Sequence, residues 1–189
     1  MERFPLFTRP GGATGRAREA LHPYPENLAL VSKVGARRDE SGGWLPYDEP
    51  DQLRRAIEDN LRSLDVEQLA AVNLRSMDDA TPDERFDDQL TAMIQARDEG
   101  LIGGVGLSNV THERLLRALE RTDVACVQNP LNLVNRASLP VLEECTSRGI
   151  AFVPFFPLGA GFARPTPVLG TAQVPSPPPR PGAPPPPVP

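Results

Sequence analysis

"GLIGGVGLSNVTHERL", residues 100–115, holds a short apolar run (103–108) that ends in a polar Ser108-Asn109 pair. Thr111 then opens a helical pattern that places Leu115, Leu116 and Leu119 on one face. A buried strand feeding straight into a capped helix is half of a βαβ unit. The same pattern should therefore recur on either side.

It does. "LALVSKV" (28–34), "QLAAVNL" (68–74), "VACVQN" (124–129) and "IAFVPFF" (150–156) read as further buried strands. Helical patterns lie between them. Leu53, Ile57, Leu61 and Leu64 follow a start at Asp48 and Pro50, and Phe86, Leu90, Met93 and Ile94 follow Thr81-Pro82-Asp83-Glu84, which has the form of a capping box. Val141, Leu142 and Cys145 follow Ser138. Alternating strands and helices predict a parallel α/β sheet, either doubly wound or part of a (β/α)8 barrel. Polar residues close nearly every strand: Lys33, Arg75, Ser108-Asn109 and Gln128-Asn129. A barrel collects its site at such positions, and no G-x-G-x-x-G opens a helix. The expected class is an incomplete (β/α)8 TIM-barrel type with about five parallel strands.

Beyond this core the pattern fails. Residues 1–17 carry breakers and no periodicity, so an irregular segment is expected there, followed by a partial barrel domain over 18–170. Residues 171–189 contain "VPSPPPRPGAPPPPVP", which predicts a disordered, extended tail. A net charge of −5 argues against nucleic acid and anionic membranes as partners. Two cysteines, no apolar signal region and no membrane-length run lead to the expectation of a cytoplasmic protein without disulfides. "PPPRPGAP" has SH3-ligand character, but a protein partner for the tail is not expected.

Lys33 is the one lysine among twenty basic residues. An ammonium beside an apolar strand can shift its pKa, whereas a guanidinium stays protonated. GC-rich coding offers a plainer account of the bias. Ser32 makes no dyad with Lys33, since neighbours on a strand face opposite sides. Ser108 and Asn109 offer amide and hydroxyl groups to a planar amide or phosphate, though an ordinary βα turn has the same composition. Gln128 stands at the next strand end, and "FVPFFPLGAGF" (152–162) brings aromatics and a Pro-Leu-Gly turn. His22 and His112 have no second ligand at helical spacing, and the acidic stretch 78–88 reads as a solvated helix start, so no metal site is expected.

"ALHPYPENLALVSKVGARR", "GLIGGVGLSNVTHERL", "VQNPLNLVNR" and "FVPFFPLGAGF", in this order, resemble the aldo/keto reductase family over roughly residues 18–162. Members are (β/α)8 barrels that bind NADPH and reduce aldehydes or ketones. The resemblance implies that Lys33 matches the catalytic lysine that lowers the pKa of a tyrosine acid. It implies that Ser108, Asn109 and Gln128 hold the nicotinamide carboxamide and that Phe155 stacks on the ring. Leu158, Gly159 and Ala160 match the turn that approaches the cofactor diphosphate. Arg75 stands where the family usually has its catalytic histidine. It can polarise a carbonyl but not shuttle a proton. The family's tyrosine and aspartate have no match, because Tyr24 and Tyr47 lie in other contexts. Both ends read as out-of-frame or foreign sequence. The expected protein is thus an NADPH-dependent reductase of small carbonyl compounds with weak or no activity. The alternatives are a non-catalytic nucleotide-binding or interaction relative, or a Schiff-base lyase that uses Lys33.

Overall fold

The computed structural model describes residues 13–77 and 82–157. In chain order the elements are α1 (Ala13–Leu21), β1 (Val31–Arg38), β2 (Trp44–Tyr47), α2 (Pro50–Leu64), β3 (Ala71–Arg75) and α3 (Asp83–Asp98). They continue with β4 (Val105–Ser108), α4 (His112–Leu119), β5 (Val124–Pro130), α5 (Leu139–Arg148) and β6 (Ala151–Phe155). All five expected strands are present. Helix α1, however, begins inside the stretch expected to be irregular. It is tied to α2 by Arg18–Asp65 at 2.6 Å and Ser63–Thr14 at 2.6 Å. Residues 1–12, Thr81 and the whole tail lie outside the described residues.

The strands form one sheet in the order β2-β1-β3-β4-β5-β6. All neighbouring pairs are parallel except β1–β2, which is antiparallel. A doubly wound sheet reverses its strand order at a switch point. Here the parallel strands follow one another in a single direction, so right-handed crossovers put every helix on the same face. The result is an arc of a barrel. Among the described residues its edges are β2 and β6, and each carries a proline, Pro46 and Pro154.

Alternation along the strands separates two rows of side chains. Val34, Val72, Leu74, Val105, Leu107, Val124 and Val127 pack beneath the helices, where they meet Leu53, Ile57, Phe86, Leu90, Met93, Leu115 and Val141. That layer is the core. The other row faces the concave side. Lys33 pairs with Asn73 and Asn73 with Gly106, while Arg75 pairs with Ser108 and Ser108 with Gln128.

The helix starts differ in detail from the sequence expectation. Thr111 does cap α4, accepting the Arg114 N–H at 3.3 Å. At α2 the capping residue is Glu49, whose N–H donates to Gln52 Oε1 at 3.3 Å. Asp48 instead turns inward, where it accepts from Arg85 and Gln89, each at 2.8 Å. Ser138 precedes α5 without a side-chain cap, and its hydroxyl accepts from Asn129 at 3.3 Å.

Strand β2 was not expected. It is short and contains a proline, which hides it from a periodicity search. The loop before it closes on Asp39, whose N–H donates to the Gly43 carbonyl (2.9 Å) and whose carboxylate accepts the Gly43 N–H (2.7 Å).

Glycine 106 is required by a close approach. A Cβ there would lie 1.9 Å from Asn73 Oδ1 and 3.0 Å from Cys126 Sγ, which themselves hydrogen-bond at 3.1 Å across it. Gly106→Ala should lower stability by about 1–3 kcal/mol, seen as a lower urea midpoint; an unchanged midpoint would refute the contact.

Arg117 joins α3 to α4 by a two-point grip on Asp87, with bonds of 2.8 and 2.7 Å. This hydrogen-bonded pairing, helped by the charges of Arg117 and Arg121, holds the Asp87 carboxyl below its ordinary value of 3.8. A depressed carboxylate stabilises the fold above its unfolded pKa and ceases to do so as pH falls through the folded one. Asp87→Asn should therefore cost up to about 1 kcal/mol at neutral pH. In denaturation curves taken at descending pH, wild type and variant should converge below the ordinary carboxylate range.

Candidate active site

The concave row meets the C-terminal ends of β1, β3, β4 and β6 in a cavity of about 400 Å³. Lys33, Arg38, Trp44, Arg75, Ser76, Met77, Ser108, Asn109, Phe155 and Phe156 line it. Five of the residues singled out from sequence meet here: Lys33, Arg75, Ser108, Asn109 and Phe155.

Lys33 projects from the middle of β1 and is only 3% exposed. Its Nζ lies 5.7 Å from the centre of the Phe155 ring. Ser32, on the opposite face, is aligned with Val72 of the helix-facing row, as a period of two requires. Arg75 ends β3 with its guanidinium 4.5 Å from the centre of the Trp44 ring. Burial, and then the charge of Arg38, pull Arg75 down to about 10. At neutral pH it remains a cation.

Ser108 is fully buried at the end of β4. Asn109 follows at φ +57°, a left-handed conformation that Asn tolerates better than most residues. Two bonds hold that turn: Asn109 N–H donates to the Gln128 carbonyl (3.0 Å) and its Nδ2 donates to the Ser76 carbonyl (2.9 Å). Oδ1 is the acceptor that Asn109 can offer to a ligand N–H, and Nδ2 keeps a second hydrogen. Ser76 is itself fixed. Its N–H donates to the Ser108 carbonyl at 2.9 Å, and its hydroxyl accepts from buried Arg114.

Gln128 is buried beside Ser108 in register, one step behind the cavity wall. Phe155 meets Phe156 edge-on, with ring centres 4.9 Å apart at 84°. Phe156 sits at φ +55°, and its carbonyl accepts from Asn132 Nδ2 at 2.9 Å. Leu158, Gly159 and Ala160 lie outside the described residues.

Neither tyrosine reaches the cavity. Tyr24 donates to the Leu64 carbonyl (2.8 Å) at the end of α2, which leads into the opposite, N-terminal end of β3. Burial raises its pKa. Tyr47 pairs with Gly35 across the hairpin and lies 5.5 Å beneath Arg37.

Sequence reasoning missed Arg38, Trp44, Ser76, Met77 and Phe156. Ser76 and Phe156 immediately follow an identified position, and Met77 comes one residue later. Trp44 comes from β2, and its signal was the glycine-containing loop 39–43 between Arg38 and the one tryptophan. Among the described residues no His, Cys, Asp and Glu cluster could hold a metal ion, and no helix is long and apolar enough to cross a membrane. His112 lies 3.3 Å from Glu144, away from the cavity.

Comparison with known proteins now bears on this geometry. A sequence model described as the aldo/keto reductase family matches residues 12–178. The chain belongs to that family. Over 145 residues it is 43% identical to the pyridoxine 4-dehydrogenase of Escherichia coli, covering 75% of this chain and 51% of the relative. An uncharacterized oxidoreductase of Schizosaccharomyces pombe is 39% identical over 153 residues, 80% of this chain and 49% of the relative. Among solved structures, the glycerol dehydrogenase of Gluconobacter oxydans superposes with a TM-score of 0.65 at 25% identity, over 75% of this chain and 44% of that one. The chain thus spans about half the length of the curated aldo/keto reductase relatives it matches. The sequential parallel strands are an arc of the family's barrel.

One buried residue outside the cavity holds the Ser108–Asn109 turn in shape. Asn129, 2% exposed, accepts the Val110 N–H at 3.0 Å and donates to the Val110 carbonyl at 2.7 Å. Its side chain acts as a short piece of partner strand. Asn129→Ala should leave two buried backbone groups unsatisfied and cost about 1–3 kcal/mol. Amide hydrogen exchange at Val110 should accelerate at the same time; retained protection there would contradict the clamp.

Proposed function

We propose that the cavity binds the nicotinamide end of NADPH and that the protein is an aldo/keto reductase-type oxidoreductase of small carbonyl compounds, with weak turnover. The observation that carries this reading is the convergence of Lys33, Ser108, Asn109 and Phe155 on one cavity at the strand ends.

The residues suit the group. A planar carboxamide presents both a donor and an acceptor; Asn109 Oδ1 can take the donor and the Ser108 hydroxyl can serve the acceptor. The Phe155 ring on the cavity wall offers a flat apolar face. Bound NADPH supplies the hydride. Arg75 holds positive charge, with the Lys33 amine beside it in the cavity, where a carbonyl oxygen would gain electron density, and burial strengthens that effect. Among the described lining residues no tyrosine stands beside Lys33, since Tyr24 bonds the Leu64 carbonyl and Tyr47 pairs with Gly35, and Arg75 keeps its proton at neutral pH. A cavity working with these described residues alone forgoes the share of rate that a positioned phenol contributes, ~10²–10⁴-fold.

The placement of both tyrosines away from the cavity also favours a second reading, a nucleotide-binding relative without chemistry. Titration of the folded protein into NADPH, followed by cofactor fluorescence with NADH as control, tests both. Saturable binding that prefers NADPH and weakens by about tenfold in Ser108→Ala or Asn109→Ala is expected. Slow oxidation of that NADPH by a simple aldehyde, lost in Lys33→Met, identifies a reductase. Binding without turnover identifies the second reading, and no binding by folded protein overturns both.

A further inference from the structure

Neighbouring residues on a strand face opposite sides of the sheet. Phe155 and Phe156 are neighbours, yet both line the cavity. The cause is local. Strand β6 ends at Phe155, and Phe156 turns left-handed at φ +55°. That turn brings the second ring against the first, edge-on at 84°.

Local preference runs against such a turn. A positive φ is an outlier for a bulky side chain, and Pro157 after it favours an extended backbone. An outlier of this kind persists where its surroundings hold it. Here they include Asn132, in the loop between β5 and α5. Its Nδ2 donates to the Phe156 carbonyl at 2.9 Å, and the preceding Leu131 N–H donates to the Phe155 carbonyl at 3.4 Å. Asn132 is itself fixed. Its Oδ1 accepts the N–H groups of Val134 (3.0 Å) and Asn135 (2.8 Å), and its own N–H donates to the Asn135 carbonyl (2.9 Å). One side chain therefore closes its own loop through oxygen and grips the cavity wall through nitrogen.

We infer that Asn132 is a positioning residue for the cavity: its amide nitrogen holds Phe156 in the left-handed turn and so keeps both rings on the wall. Without that bond Phe156 relaxes toward extended backbone, and its ring leaves Phe155. The effect on ligand binding rests on the reading of Phe155 as the flat face for a nicotinamide ring; the placement of the two rings does not.

The two ends of the amide can be separated. Asn132→Asp keeps an oxygen for the Val134 and Asn135 N–H groups and removes the donor to Phe156 at nearly constant shape. Protein labelled with 4-fluorophenylalanine carries a fluorine on each of its seven phenylalanines, and Phe155→Leu and Phe156→Leu assign the two of interest. In Asn132→Asp both of those fluorine NMR signals should move toward their positions in the urea-unfolded chain. The signal of Phe86 in the core should stay, and amide exchange at Val134 and Asn135 should remain slow. NADPH affinity of the same variant should fall about fivefold. Asn132→Ala loses both ends of the amide, so it should move the two signals equally and also speed exchange at Val134 and Asn135. Unmoved Phe155 and Phe156 signals in Asn132→Asp overturn the inference. Movement of the Phe86 signal along with them also overturns it, because Asn132 then serves the fold at large. Displaced rings with undiminished NADPH affinity overturn the role in binding. A wild type that binds no NADPH removes the cofactor reading alone, and the fluorine signals still decide the positioning.

Discussion

The parallel register between β1, β3, β4 and β5 is the constraint on which the site depends. It sets Lys33 beside Asn73 and lines Arg75, Ser108 and Gln128 across three strands. Because side chains alternate, a slip of one residue would turn the polar row toward the helices and the valines and leucines toward the cavity. The apolar row resists that slip: Val34, Leu74, Leu107 and Val127 are all fully buried beneath the helices. The hydrophobic layer therefore stabilises the fold and, in the same act, aims the polar groups. Chemistry on the concave face is held in position by packing on the convex one.

Polar bonds refine what packing sets. The β4–α4 turn that carries Ser108 and Asn109 is bonded from three sides, by Ser76, by the Gln128 carbonyl and by Asn129. Each of these partners is buried and comes from a neighbouring strand end. A turn braced in this way reorganises little when a ligand arrives, which is what a binding constellation needs. Arg114 adds an internal support, reaching Ser76 from the helix that the same turn begins.

Most of this was legible in the sequence because it follows from period and composition. Five apolar runs, most of them ending in polar residues, were enough to foresee the parallel strands and to place Arg75, Ser108 and Asn109 at one end of them, whereas Lys33, expected at a strand end, lies inside β1, which runs on to Arg38. The open choice between barrel and doubly wound sheet needed spatial order, which no local pattern carries. Local chemistry misled at helix starts. Asp48 has the composition of a cap but serves two side chains of α3 instead, and Ser138 serves Asn129. The Trp44 wall was hidden because β2 is too short to show alternation and is interrupted by Pro46. Helix α1 was missed because its anchoring to α2 is tertiary, made through Arg18 and Thr14.

The prolines of the two outermost strands carry a consequence of their own. A strand at the margin of a sheet offers its unpaired amides to any other extended chain, and so templates aggregation. Pro46 and Pro154 each remove one donor from such a margin, in strands of only four and five residues. Neither flank can present an uninterrupted ladder to a neighbour. Among the described residues the arc thus carries, at both flanks, a built-in deterrent to amyloid-like growth.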